Sequence, residues 1–153
     1  MNQKKFKFIL VIIIAVLCAV FLSARAWSFD RETSYLLDMN DNVSMLGNTL
    51  DAFDSLLDCT QFDDLWCQRM GACMYLFEDI SSKAHNINPP KAFAKSHAVY
   101  LKAMDELDAF RLNFVAGFDA RDKVLMQQAQ NHWDRMFDYL KEYGNILKQE
   151  TGK

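Results

Sequence analysis

The sequence predicts an all-α protein, an up-down-up-down four-helix bundle, on three grounds. Its 153 residues include only 5 Gly and 2 Pro, too few for a β-sandwich or barrel, which turns every ~8–12 residues. Hydrophobic residues make up 51% and charged residues 24%, enough apolar side chains to build a core and to exclude disorder for most of the chain. Those apolar residues recur at alternating spacings of three and four, which lines one helix face and does not fit strand alternation.

Four segments carry that pattern. The first runs over about residues 31–58, with Leu36, Met39, Val43, Leu46, Leu50, Phe53 and Leu57 in its stripe. The second spans about 61–87, on Phe62, Trp66, Met70, Cys73, Phe77, Ile80, Ala84 and Ile87. The third covers about 90–117, on Phe93, His97, Tyr100, Met104, Leu107 and Phe114. The fourth covers about 120–149, on Leu125, Ala129, Trp133, Met136, Leu140, Tyr143 and Leu147.

Cap and turn chemistry sets the boundaries. Thr60, with Asp63 three residues on, can cap the second helix by satisfying an orphan N–H of its first turn. Asn86–Pro90 is the strongest break, because Pro lacks an N–H and suits only a helix's first turn. Gly117 is expected to close the third helix, and Asp119 with Asp122 to open the fourth. Connections this short force neighbouring helices antiparallel, in a bundle about 40 Å long.

Ahead of the bundle the sequence predicts a signal peptide or membrane-anchor helix over residues 1–26. Lys4, Lys5 and Lys7 form a basic start, and Phe8–Leu22 is 15 apolar residues without a charge. Ser23-Ala24-Arg25-Ala26 then puts small residues at −3 and −1 of a cleavage before Trp27, completing a secretory signal. The competing reading is an uncleaved anchor, since Phe8–Ala24 reaches the short end of the ~17–25 residues that span a bilayer. A lipoprotein signal does not fit, because Cys18 lies inside the apolar run behind the bulky Leu17. Either way the lysines stay cytoplasmic and residues 27–153 are exported, to the periplasm or cell exterior or anchored at the outer side of the cytoplasmic membrane. That exported domain holds 13 Lys+Arg against 20 Asp+Glu, a formal charge of −7 over 127 residues. Nucleic acid is excluded as a partner on that charge, and the membrane is touched only through residues 8–24 if they are retained.

Export permits disulfides. If the first hairpin turns around Asp63, Cys59 and Cys67 lie equally far from its tip and within bridging reach. A Cys59–Cys67 bridge is the first expectation, a Cys59–Cys73 bridge the second, and three unbridged thiols the third.

No catalytic or cofactor motif is found, and no cofactor or metal is expected. Mirroring the turns sets His97 opposite about residue 80 and His132 opposite about residue 106, so neither meets the other or His85. No Glu-x-x-His pair supports a di-iron site, and no Cys-x-x-Cys-His supports covalent haem. Met70, Cys73 and Met74, with Cys67 a turn earlier, have the softness that Cu(I) favours, yet at helical spacing they read as core. Asp38-Met39-Asn40-Asp41-Asn42 begins like a calcium loop, but Val43 stands where Gly is needed and Thr49 where the bidentate Glu belongs. Asn42-Val43-Ser44 matches a glycosylation acceptor, a short and common pattern.

The carboxylates Asp51, Asp54, Asp58, Asp63 and Asp64 crowd the end of the first hairpin. They read as a solvated acidic face or as an electrostatic patch for a basic partner. Among the aromatics Phe62, Trp66, Tyr139 and Tyr143, the first two flank this end and are the candidate anchors of an interface.

Residues 88–149 resemble a pattern met in small exported bacterial helical-bundle proteins of uncharacterised function. The resemblance rests on Pro89-Pro90, Phe93, His97, Tyr100-Leu101 and Ala103, with a second helix after Asp119. It implies an exported α-helical domain, with a Pro-opened helix whose His and apolar residues face inward.

Three function classes follow. The preferred one is a non-enzymatic binding protein of the cell envelope: an inhibitor, an immunity or exclusion factor, or an accessory subunit. Its expected partner is another envelope or secreted protein, and its expected contact residues are Asp58, Phe62, Asp63, Asp64 and Trp66. The alternative is a small-ligand-binding or sensor-like bundle with a pocket near Trp133, His97 or Tyr100. An enzyme comes last, because no nucleophile, base and orienting group share an informative spacing. A homodimer through a helix face is compatible with each. Intact-mass measurement of the exported protein is expected to find a chain beginning at Trp27; an intact Met1 with membrane retention would select the anchor instead.

Overall fold

The computed structural model describes residues 31–152. The signal or anchor expected over residues 1–26 lies outside them. Helix α1 runs Arg31–Leu57, α2 Asp64–Asn86, α3 Ala94–Ala120 and α4 Lys123–Glu150, with a single 3₁₀ turn at Lys91–Phe93 before α3. Consecutive helices pack antiparallel, so the described residues are all-α, with four long helices. Among the described residues no helix is long and apolar enough to cross a membrane.

The expected stripes form the core almost intact. Every stripe residue of α3 is buried, as are Leu36 to Phe53 of α1 and Ala129 to Leu147 of α4. The centre is aromatic. Phe53 of α1 lies with its ring centroid 5.7 Å from Phe77, 5.6 Å from Phe110 and Phe114, and 5.2 Å from Trp133. Edge-to-face and tilted arrangements such as these bring positive ring edges onto negative faces. The backbones of α1 and α4 nowhere approach within 8 Å between Cα atoms. Large side chains such as Phe53 and Trp133 therefore bridge them.

The α3–α4 hairpin is closer, and at its turn Gly117 permits the approach. A Cβ at that position would stand 3.0 Å from the Met126 backbone nitrogen and 3.1 Å from the Leu125 Cβ. The expectation that Gly117 ends α3 is corrected accordingly. The helix continues to Ala120, and Arg121 takes the left-handed terminal conformation at φ 53°, ψ 37°. A non-glycine residue pays for that geometry in strain. Glycine is used where the helices touch, not where the chain turns.

Other boundaries shift for local reasons. Thr60 lies in the loop, and Asp63 itself caps α2, its Oδ1 accepting the Trp66 N–H at 2.8 Å. Asp122 caps α4 by accepting from the N–H groups of Val124 and Leu125, while Asp119 stays inside α3. Leu57 and Phe62, expected in the stripes, are 51% and 66% exposed because α1 ends and the loop begins there; Leu56 turns inward in place of Leu57. The α2–α3 register also moves. Ser81 bonds Asp108, His85 meets Asp105 and Arg111 pairs with Glu78. His97 therefore lies beside Ile87, not residue 80, because residues 87–93 form the connection and do not extend α2. The other mirrored pair holds: His132 Nδ1 is 2.6 Å from Glu106 Oε2.

Truncating Phe53 removes the ring common to these contacts without changing any charge. Phe53→Ala is expected to lower the unfolding free energy by about 3–5 kcal/mol in urea titration, and Leu37→Ala on the exposed face by less than about 0.5 kcal/mol.

Candidate functional site

The end of the bundle formed by the α1–α2 and α3–α4 turns gathers most of the residues singled out from the sequence. Trp66 organises it. Its indole N–H donates to the Leu56 carbonyl at 2.9 Å, and its backbone N–H is taken by Asp63. Its ring lies 4.8 Å from Phe62 and 5.5 Å from Phe118. Trp66 is buried, so it ties α1, the loop and α3 together and does not itself offer a contact surface. Phe62 is the exposed member of the pair, held edge-on against the indole.

Other exposed apolar side chains lie at the same end of the bundle. Leu57, Leu65, Phe118 and Val124 are all more than two-fifths exposed, with Phe118 reached through its contact with Trp66. Two open depressions, about 350 Å³ and 510 Å³, lie beside Trp66 and beside Phe118. Asp58, Asp63, Asp64, Asp119 and Asp122 surround this surface, with Arg69, Arg121 and Lys123 among them. Phe118 and Val124 were not legible as part of the site, because no spacing in the sequence says which turns share an end with which.

The expected Cys59–Cys67 bridge is not formed. Both residues are exposed free thiols, and the Cys73 thiol is buried and free. The reason is that α1 ends before Cys59, whose Sγ turns back to the Ser55 carbonyl at 3.5 Å. Cys67 follows the inward-facing Trp66 by one residue, about 100° further round the helix, and so points to solvent. Burial pushes the Cys73 thiol pKa up. Cys73 packs with Met70 and Met74 in the core.

A second group of polar residues lies inside the bundle. Asn42 is buried, and its Nδ2 donates to the Ile80 carbonyl at 3.0 Å while its Oδ1 accepts the Tyr100 hydroxyl at 2.6 Å. The nitrogen that a glycan would need is thus committed inside the core. Asn42 also lies mid-helix, so the calcium-loop pattern is a turn-like sequence read in a helix. Nearer the far end, Tyr35, Ser96, His97, Tyr143 and Glu150 crowd together, and burial pushes the Tyr35 and Tyr143 hydroxyls well above the usual tyrosine range. Tyr35 was missed although it lies four residues before Met39, the spacing that would have put it in the stripe. Tyr143 is core, and Tyr139 is half-buried beneath the Lys102 ammonium, 5.7 Å from its ring centre. Among the described residues, no cluster of three His, Cys, Asp or Glu side chains has metal-holding geometry.

Comparisons with family models, with curated proteins and with solved structures return no match. The resemblance noted over residues 88–149 therefore brings no family with it.

Thiol accessibility separates the three cysteines. Alkylation of the native protein followed by peptide mapping is expected to label Cys59 and Cys67, and to label Cys73 only after unfolding. Equal labelling of Cys73 under native conditions would mean the core opens at α2.

Proposed function

We propose that the chain is an exported, non-enzymatic interaction protein of the cell envelope, which engages a partner protein through the end of the bundle remote from Arg31. The observation that carries this reading is the set of large apolar side chains exposed at that end, Phe62, Leu57, Leu65, Phe118 and Val124, on a scaffold pinned by Trp66. Exposed apolar surface rimmed by polar groups marks interaction sites. Phe62 would serve as anchor, because an aromatic side chain already held against a second ring loses little freedom on binding.

Charge supports the choice of partner. The rim carries Asp58, Asp63, Asp64, Asp119 and Asp122 against Arg69, Arg121 and Lys123, so a partner that surrounds an apolar contact with basic groups would be steered to it. Position supports it too. The 27 residues of α1 separate Arg31 from the tip by about 40 Å. A chain tethered through residues 8–24 would hold that tip away from the membrane. The hydroxyl contacts Ser81–Asp108 and Tyr35–His97 tie helices together away from this end, which supports binding over catalysis as its role.

Site-specific photo-crosslinking in the intact cell tests the proposal. A crosslinker at Phe62 is expected to give one discrete protein adduct, weakened about tenfold or more when Asp58→Lys and Asp64→Lys reverse the rim. A crosslinker at the exposed Tyr75, on the outer face of α2, is expected to give none. Equal adducts from both positions, or none from Phe62, would remove the tip from consideration.

A further inference from the structure

The polar cluster at the end where α1 begins is not used by the tip. His97 of α3 is only 3% exposed. Tyr35 of α1 packs edge-on against it, ring centroids 5.6 Å apart, with its hydroxyl 3.4 Å from Nδ1. Tyr35 also stacks on Phe93 at 5.3 Å. Within residues 31–38 only Tyr35 and Leu36 are buried, so the docking of the first turns of α1 depends on these two side chains.

We infer that this cluster is an acid-sensitive latch, in which protonation of His97 releases the first turns of α1 from α3 while the remainder of the bundle stays folded. The geometry gives the reason. Nδ1 of the buried ring lies 3.4 Å from the Tyr35 hydroxyl, and the ring also bonds to the Ile87 backbone. Protonating the ring places a charge against Tyr35 in a buried, aromatic setting. Buried charge is costly unless an opposite charge meets it. The titratable and charged groups on the elements around His97 include one carboxylate not already paired with another side chain, Glu150, and it forms no ion pair with His97. From α1 comes Tyr35, and from α2 His85, itself engaged with Asp105 at 3.1 Å. From α4 come Tyr143 and Glu150, whose Oε1 accepts the Ser96 N–H at 3.3 Å. Among the described residues no carboxylate forms an ion pair with His97.

The direction of the pH effect follows from burial. Desolvation lowers the His97 pKa, His85 acts in the same sense, and the bond to the Ile87 backbone opposes both. An undocked His97 keeps its ordinary value of about 6.5. The open form therefore binds the proton more readily. Docking is complete above that value and is lost progressively as pH falls through it towards the lowered value of the closed form. The loss stays local because the Phe53 rings and the Trp66 ties hold the other end of α1, and none of those groups titrates in this range.

The test uses the full chain. Amide exchange of residues 31–37, corrected for intrinsic rates, is measured between about pH 7.5 and about pH 5, together with the NMR titration of the His97 ring. Exchange at residues 31–37 is expected to rise about tenfold or more relative to α3 and α4, with a midpoint matching the His97 titration. His97→Gln is expected to abolish the transition, and Glu150→Gln to leave it in place. Flat exchange in the wild type, a transition that survives His97→Gln or disappears with Glu150→Gln, simultaneous opening of all four helices, or a His97 midpoint unrelated to the exchange midpoint would each overturn the inference. The wild-type comparison decides the matter even if the His97 variant fails to fold.

Discussion

The position of α1 depends on one set of contacts, the aromatic cluster that Phe53 completes. The backbones of α3 and α4 are drawn together at Gly117 and form the tight half of the molecule. α1 has no such approach to α4, so its position is set by what fills the space between them. Phe53, Phe77, Phe110, Phe114 and Trp133 fill it, with Phe110 and Trp133 centred 4.4 Å apart. Rigid rings can hold two helices apart at a fixed distance where flexible aliphatics would let them collapse.

An apolar cluster fixes distance better than register, and the register comes from polar atoms. Asn42 satisfies its amide with the Ile80 carbonyl on one side and the Tyr100 hydroxyl on the other, joining three helices at one residue. Sliding α1 by a turn would strand those groups in the core, at a cost of roughly 1–3 kcal/mol for each one left unpaired. Ser81 and Asp108 do the same for α2 and α3, and Ser96 and Glu150 for α3 and α4. The Glu150 carboxylate also faces the first N–H groups of α3, where the helix dipole favours negative charge.

The two ends of the bundle have therefore become chemically different. The end built from the tight turns carries exposed apolar side chains on a framework locked by the Trp66 indole. The other end, where α1 begins, buries tyrosines, a histidine and a carboxylate. The 27 residues of α1 separate the two.

The helices themselves were legible in the residues. Alternating spacings of three and four fix which face of each helix is wet, and few Gly and Pro leave few places to break, so the stripes from Leu36 to Leu147 needed no tertiary knowledge. Local cap chemistry was legible in part: Asp122 could be named, whereas Asp63 was set one role away, behind Thr60. Three things were decided only by tertiary structure. Gly117 became a contact point and not a terminus, because the need for close approach lies between helices and leaves no local mark. Trp66 turned inward and Phe62 outward, because the distinction depends on where α1 ends and on Phe118, some fifty positions away in sequence. Tyr35, His97 and Glu150 came together because antiparallel packing superimposes two helix starts on a helix end. Periodicity reports the environment of one helix at a time, and a site assembled from several helices exists only after they have packed.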